Sequence, residues 1–224
     1  MIVSLAVALD LAQQCAPSVA PATILAIAHA ESSFDTLAIN VNNGPKLRPA
    51  TDPADAARLA RRYIAAGYSV DLGLGQINSK NLGWLGLSVE DTFEPCRNLA
   101  AAARVIGLNY RAAERSGARG QDAMGIALSL YNTGRPRRGF ANGYVARVYR
   151  SAAIVTRGLG AAAPIAAPAR DTPAPPPSAL PPTPAPTPAP IPASAPAPGW
   201  DVFARPAAPA LVFSRRAEVG EIMQ

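Results

Sequence analysis

The 224-residue chain has one histidine, His29, and two cysteines, Cys15 and Cys96. That scarcity removes several chemistries at once. A zinc site of His and Cys would need all three residues plus a carboxylate, and none stands at ligand spacing. A Ser-His-Asp or Cys-His hydrolase would rest entirely on His29, which reads as a surface residue of a helix. No metal or cofactor is expected. No Gly-Lys-Ser/Thr follows a glycine-rich stretch, so there is no P-loop. No basic helix is interleaved with aromatics, so no nucleic-acid partner is expected. No apolar run is long enough to span a bilayer. The apolar opening, MIVSLAVAL, is short, lacks a basic n-region and runs into Asp10 and Gln13-Gln14. It makes a poor signal peptide. Ile2, Leu5, Leu9 and Ala12 fall near a helical period, so it reads as the first helix.

Cys15 and Cys96 read as a disulfide, with free buried thiols as the cytosolic alternative. Closing so long a loop would contribute at most about 4 to 5 kcal/mol on a chain-entropy estimate. Proline is scarce before residue 160 and abundant after it, with 17 of the 24 prolines there. The stretch PAPPPSALPPTPAPTPAPIPASAPAP excludes helix interior and paired strand, and predicts polyproline II and disorder. The boundaries read as a folded domain over 1–158, a Pro/Ala-rich linker over 159–199 and a tail over 200–224. The domain is of comfortable size for one core. It carries the whole net charge of +6, with 17 Lys and Arg against 11 Asp and Glu; the remainder is neutral. A basic domain suits an acidic partner.

Helix signals recur along the domain. Pro17 ends the first helix, and Pro21 opens a second that runs to about Ser33. The stretch INVNNGPKLRPA reads as irregular. Asp52 is an N-cap for a third helix with Pro53 at its first position, a stripe of Ala56, Leu59, Ala60, Tyr63 and Ile64, and Gly67 at its close. Residues 68–78 are the one place where short strands are expected. Ser88 and Asp91 form a capping box. Helices follow over about 95–116, 121–131 and 143–156, with a basic loop at Arg135-Pro136-Arg137-Arg138-Gly139 between the last two. The expected class is mostly α, a helical domain with a small irregular or β region.

Within this frame Glu31 stands out. It ends an apolar helical run, Ala26-Ile27-Ala28-His29-Ala30-Glu31, and continued helix would put Ile27, Ala28, Phe34 and Asp35 on its face. A carboxylate against apolar side chains has its pKa raised toward that of a general acid. Taken alone, such a Glu also reads as a helix end in water. Gly73 and Gly75 would let a ligand approach the backbone, and Gln76 and Asn78 suit sugar hydroxyl and acetamido groups, although Gly-X-Gly also marks ordinary turns. Tyr131-Asn132-Thr133-Gly134 reads equally as a packed Tyr and a helix-stopping Asn, and Gly143-Tyr144-Val145 reads more readily as a core tyrosine.

In order, Glu31-Ser32, Gly73-Leu74-Gly75-Gln76, Tyr131-Asn132-Thr133-Gly134 and Tyr144-Val145 resemble the lysozyme-like lytic transglycosylases of the soluble-transglycosylase type. DLGLGQIN and YNTGRP, with two cysteines and a proline-rich tail, look closer still to the transglycosylase subunit of type IV secretion systems. The resemblance covers about the first 155 residues. One departure is Gly75, where many members have Met. The resemblance implies an α+β lysozyme-like fold and cleavage of the β-1,4 bond between N-acetylmuramic acid and N-acetylglucosamine, with a 1,6-anhydro product. It implies Glu31 as acid and then base, with Tyr131 and Tyr144 positioning it. Gln76 and Asn132 would line the cleft, and Ser32, Gly73, Gly75 and Asn78 would join the substrate site. Asp35 and Asp71 are the nearest candidates for a second carboxylate. The implied partners are peptidoglycan strands and, through the tail, secretion-system components; the implied location is the periplasm or cell envelope. A lysozyme-like hydrolase and a non-catalytic glycan-binding assembly factor remain as alternatives.

Overall fold

The computed structural model describes residues 1–161. The expected tail and nearly all of the expected linker lie outside the described residues. Eight helices are described: α1 (Leu5–Cys15), α2 (Pro21–Ser32), α3 (Pro53–Ala65), α4 (Leu82–Leu85), α5 (Pro95–Arg115), α6 (Gly120–Thr133), α7 (Arg138–Ala141) and α8 (Tyr144–Ala161). Between α2 and α4 lie three short strands, β1 (Ile39–Val41), β2 (Val70–Leu72) and β3 (Ile77–Asn78), in one antiparallel sheet of order β1-β2-β3.

The helix α2 is apolar on all sides and therefore central. Residues 23 to 28 are all buried, and the helix packs against α1, α5 and α8. These helices with α6 enclose the main core, built from Ile24, Leu25, Ile27, Leu99, Ile106, Met124, Leu128 and Val148 among others. A disulfide between Cys15 and Cys96 joins the last turn of α1 to the first turn of α5 across 81 residues of chain. Of the described helices, none is long and apolar enough to cross a membrane.

A second, smaller core lies under the sheet. Leu37, Val41, Val70, Leu72 and Phe93 pack on Ala56, Ala57 and Ala60 of α3. Alternation along the strands produces this division. The cross-strand row Ile39–Leu72–Ile77 contains the core residues Leu72 and Ile77, and the next row, Asn40–Asp71–Asn78, lines the cleft on the other face.

Local signals set the helix starts. Asp52 accepts from Asp55 N at 2.8 Å as N-cap of α3, with Pro53 at the first position. Ser88 and Asp91 exchange hydrogen bonds reciprocally, Ser88 N to Asp91 Oδ2 at 2.9 Å and Asp91 N to Ser88 Oγ at 3.2 Å. Four expectations need correction. Residues 39–41 form a strand, because their partner β2 supplies a ladder that no local pattern announces. Ile2 lies outside α1 and forms an isolated bridge with Asp35. His29 is not an open surface residue. Its Nδ1 lies 2.9 Å from Ser151 Oγ of α8, and its ring meets Phe34 edge-on. Lastly, the helix does not continue past Ser32. Ser33 and Phe34 both take positive φ, +52° and +66°, and this turns Phe34 and Asp35 off the face of Glu31.

Asn98 of α5 ties the two cores together. It is fully buried, donates to Leu72 O at 2.9 Å and Thr92 O at 2.7 Å, and accepts from Gly75 N at 2.7 Å. Asn98→Ala removes a partner from three backbone groups and should lower the unfolding free energy by about 3 kcal/mol, read as a shift of the denaturant midpoint.

Candidate functional site

Glu31 is the penultimate residue of α2 and opens into a cleft of about 810 Å³. The sheet and the turns that adjoin it line one side of the cleft with Asn40, Asn42, Asp71, Gln76 and Asn78. The helices line the other with Val105, Asn109, Leu130, Tyr131, Asn132 and Arg147. Beneath the acid, Tyr144 of α8 is 1% exposed and donates its hydroxyl to Glu31 Oε1 at 2.5 Å. Burial raises the Glu31 pKa from the ordinary 4.5 to about 7. The Tyr144 hydrogen bond and the charge of Arg147 pull it down, and the Asp71 charge adds to the rise. Burial also holds the phenols of Tyr131 and Tyr144 well above their usual range, and Glu31 pushes both further. Both therefore remain donors across the neutral range.

The turn over residues 73–76 forms the floor beside the acid, and three helices hold it. Ser32 Oγ of α2 lies 2.8 Å from Leu74 O and 3.0 Å from Ala28 O. Asn98 of α5 accepts from Gly75 N, and Tyr131 of α6 donates to Gly75 O at 2.7 Å. Gly73 has φ +70°, and a Cβ there would stand 2.2 Å from Thr92 O. At Gly75 a Cβ would stand 2.9 Å from the Ala102 Cβ and 3.1 Å from the Tyr131 hydroxyl. These glycines admit neighbouring protein rather than a ligand, and in this chain there is no room for a side chain at residue 75. Gln76, with φ +50°, donates from Nε2 to Ala38 O at 3.2 Å and Gly73 O at 3.0 Å.

The residues singled out in the sequence therefore separate into two sets. Glu31, Gln76, Asn78, Tyr131 and Asn132 line the cleft. Ser32, Gly73, Gly75 and Tyr144 lie behind it and hold the lining in place. Asn78 serves both purposes, since its Nδ2 donates to Asp71 Oδ1 at 2.6 Å and to Ser69 Oγ at 2.7 Å. The two candidate second carboxylates part company. Asp35 is engaged by the Met1 amino group and by Leu37 N at 3.0 Å and is absent from the lining. Asp71 lies in the cleft, and its Oδ2 accepts from Asn42 at 2.9 Å and Asn40 at 3.2 Å, besides the bond from Asn78.

Several lining residues escaped the sequence reading, Asn40, Arg147 and Trp84 among them. Trp84 of α4 is 44% exposed, donates from Nε1 to Asn81 Oδ1 at 3.1 Å and lies under the Arg104 guanidinium at 5.3 Å. A tryptophan between Gly83 and Gly86 was the available signal. Asn40 becomes visible once the register with Asp71 is known, and Arg147 once α8 is phased by Tyr144.

Between pH 4.5 and about 7 the folded chain holds the Glu31 proton that the unfolded chain has released. Stability from this group therefore falls as pH rises through that window and levels off above it. Glu31→Gln should stabilise the protein at pH 8 by up to about 3 kcal/mol, and by much less at pH 4.5. Melting curves at the two pH values measure the difference; an equal effect at both would remove burial of a charge as the cause.

A family profile described as Transglycosylase SLT domain matches residues 10–152. The protein described as "Protein virB1" of Agrobacterium fabrum is 40% identical over 143 residues, covering 64% of this chain and 58% of that protein. The one of the same description from Rhizobium radiobacter is 43% identical over 141 residues, covering 63% and 59%. "Type IV secretion system protein virB1" of Brucella suis biovar 1 is 34% identical over 178 residues, covering 72% and 75%. The chain thus spans just under three-fifths of the length of the first two relatives. No solved structure gives a significant match. The matched segment contains every residue of the cleft, and by it the chain belongs to the transglycosylase SLT domain family.

Proposed function

We propose that the chain is a peptidoglycan lytic transglycosylase in which Glu31 acts alone as acid and then base. The observation that carries this reading is the placement of Glu31: one carboxylate with its pKa raised to about 7, open to a cleft rich in side-chain amides and bonded to a buried tyrosine. A carboxyl poised near neutral pH can give a proton and take one back. Protonated Glu31 donates to the glycosidic oxygen between N-acetylmuramic acid and N-acetylglucosamine as the C1–O bond breaks. The resulting carboxylate accepts the proton of the muramoyl C6 hydroxyl, and O6 bonds to C1. The proton is returned, no water is consumed, and the muramoyl end leaves as a 1,6-anhydro sugar. In this reading Tyr144 sets the acid's orientation, Tyr131 fixes the 73–76 floor, and Gln76 and Asn132 meet sugar hydroxyl and acetamido groups. Ser32, Gly73, Gly75 and Asn78 shape the wall.

Mass spectrometry of digested cell wall tests this directly. Anhydro ends are expected, with Glu31→Gln reducing turnover to background and kcat/KM falling as pH rises through about 7, the alkaline side on which Glu31 loses its proton. One observation favours a second reading, a lysozyme-like hydrolase: Asp71 faces the same cleft with three amides on its oxygens. Two carboxylates flanking a scissile bond are the usual hydrolytic arrangement. Reducing ends in the digest, with Asp71→Asn as damaging as Glu31→Gln, would decide for hydrolysis.

The context of the reaction is carried over from the relatives. The Brucella suis relative is named as a type IV secretion system protein, and we assign this chain the local opening of peptidoglycan for such an apparatus, in the cell envelope. Trp200-Asp201-Val202-Phe203 and Leu211-Val212-Phe213 in the tail would dock on an apparatus component by adding a short strand. Deleting residues 200–224 should abolish co-purification with the apparatus while leaving glycan cleavage intact; unchanged co-purification refutes the docking role.

A further inference from the structure

Two cations line the cleft, Lys80 and Arg147, and among the described residues neither enters an ion pair. Arg147 is the better fixed of the two. It lies one turn along α8 from Tyr144, with its guanidinium carbon 5.0 Å from the centroid of that ring. The ring is buried and its hydroxyl is bonded to Glu31. A guanidinium stacked on an aromatic face keeps its in-plane N–H donors at the edges, in the fork that matches a carboxylate. Among the described residues no acceptor takes a side-chain hydrogen bond from Arg147, so the fork is unspent beside the acid. Lys80 projects from an exposed turn, carries a single point of charge and has no such platform.

We propose that Arg147 is the anion-recognition residue of the cleft, pairing with a carboxylate carried on the sugar that lies against Glu31. It would make the site select muramoyl-containing strands over uncharged N-acetylglucosamine polymers. The inference rests on the transglycosylase reading and adds its substrate specificity. Two sources supply the same chemistry: the 3-O-lactyl carboxylate of a peptide-free strand, or the first free carboxylate of a stem peptide.

The pairing also acts on the acid. The titratable and charged groups facing Glu31 are Asp71 on β2, Tyr131 on α6, and Tyr144 and Arg147 on α8. Of these, Arg147 favours the ionised carboxylate through its charge and Tyr144 through its hydrogen bond. A bound carboxylate cancels the pull of Arg147 and brings a negative charge nearby. Both changes favour protonated Glu31, so the acid is kept charged with its proton when the correct sugar is in place.

The test uses the full chain carrying Glu31→Gln, which binds without turnover, titrated calorimetrically with three hexasaccharides: a peptide-free muramoyl strand, the same strand with stem peptides, and an N-acetylglucosamine hexamer. Binding about five- to tenfold tighter than the hexamer is expected for at least one muramoyl strand, the fold-change of about 1 to 1.4 kcal/mol. Preference for the peptide-free strand identifies the lactyl carboxylate; preference for the peptide-bearing strand alone identifies the stem. Adding Arg147→Gln should erase the preference and leave hexamer affinity unchanged, with Arg147→Lys retaining part of it. In the otherwise native enzyme the alkaline limb of kcat should lie above that of kcat/KM, and Arg147→Gln should bring the two limbs together. Equal affinity for all three glycans, a preference that survives Arg147→Gln, or an equal loss on every glycan would overturn the proposal, the last by reducing Arg147 to a support for Tyr144. Failure to bind any of the three would instead overturn the transglycosylase reading beneath it.

Discussion

A carboxylate at the end of the most apolar helix is the constraint on which the rest of the structure depends. Burial is the main cost of ionising Glu31, and the carbonyl end of α2 adds to it through the helix dipole. Left uncompensated, such a group would hold its proton more tightly and make a poorer acid. The Tyr144 hydroxyl and the Arg147 charge limit the rise to about 7. Both come from one turn of α8, so the helix that covers α2 also tunes the residue at its end. His29, two residues earlier, contributes to the same packing by meeting Ser151 of α8 and Phe34.

The turn over residues 73–76 solves a related problem. A loop that passes close to the end of α2 brings backbone polar groups into a region without water, and each must find a partner. Ser32, Asn98 and Tyr131 supply those partners from three different helices. The glycines are required because these side chains press against the turn from behind. Close approach is indeed the reason for them, but the approaching group is the protein itself. Non-glycine residues with positive φ gather here as well: Ser33 and Phe34 leave the helix end in that conformation, and Gln76 closes the turn in it. Such backbone persists where surrounding contacts over-determine it, and this cleft meets that condition.

What was legible in the sequence was mostly local chemistry. Asp52-Pro53, Pro21, and the Ser88–Asp91 pair mark helix starts through bonds made within a few residues, and the structure contains them as read. The helical pattern around Glu31 was also legible, up to the point where it ends. Phe34 continues the apolar period, yet two successive left-handed residues break the helix without a glycine to announce it. The strand at Ile39–Val41 was missed for a different reason. Three residues carry too little alternation to be recognised, and their state is decided by pairing with β2 some thirty positions later. Asn40, Asp71 and Asn78 form one row only in that register, so the polar wall of the cleft could not be assembled from composition.

The placement of the cleft follows from having two cores. The helical core is closed around α2, and the small core is closed between the sheet and α3. Neither is available to a ligand. The end of α2 and the outer face of the sheet are left to meet across a gap, which Asn98 and the 73–76 turn bridge only at its base. One wall is then a strand surface, where alternate side chains must be polar because their neighbours are spent on the core. The other is the end of a helix bundle, where a single carboxylate, a stacked arginine and two tyrosines converge. On the proposed function, an amide-rich wall opposite one tuned acid is a division of labour: the sheet would hold a sugar chain through hydroxyl and acetamido groups, while the helices would keep proton transfer in a drier place. The proposed chemistry is thereby confined to the junction of the two walls.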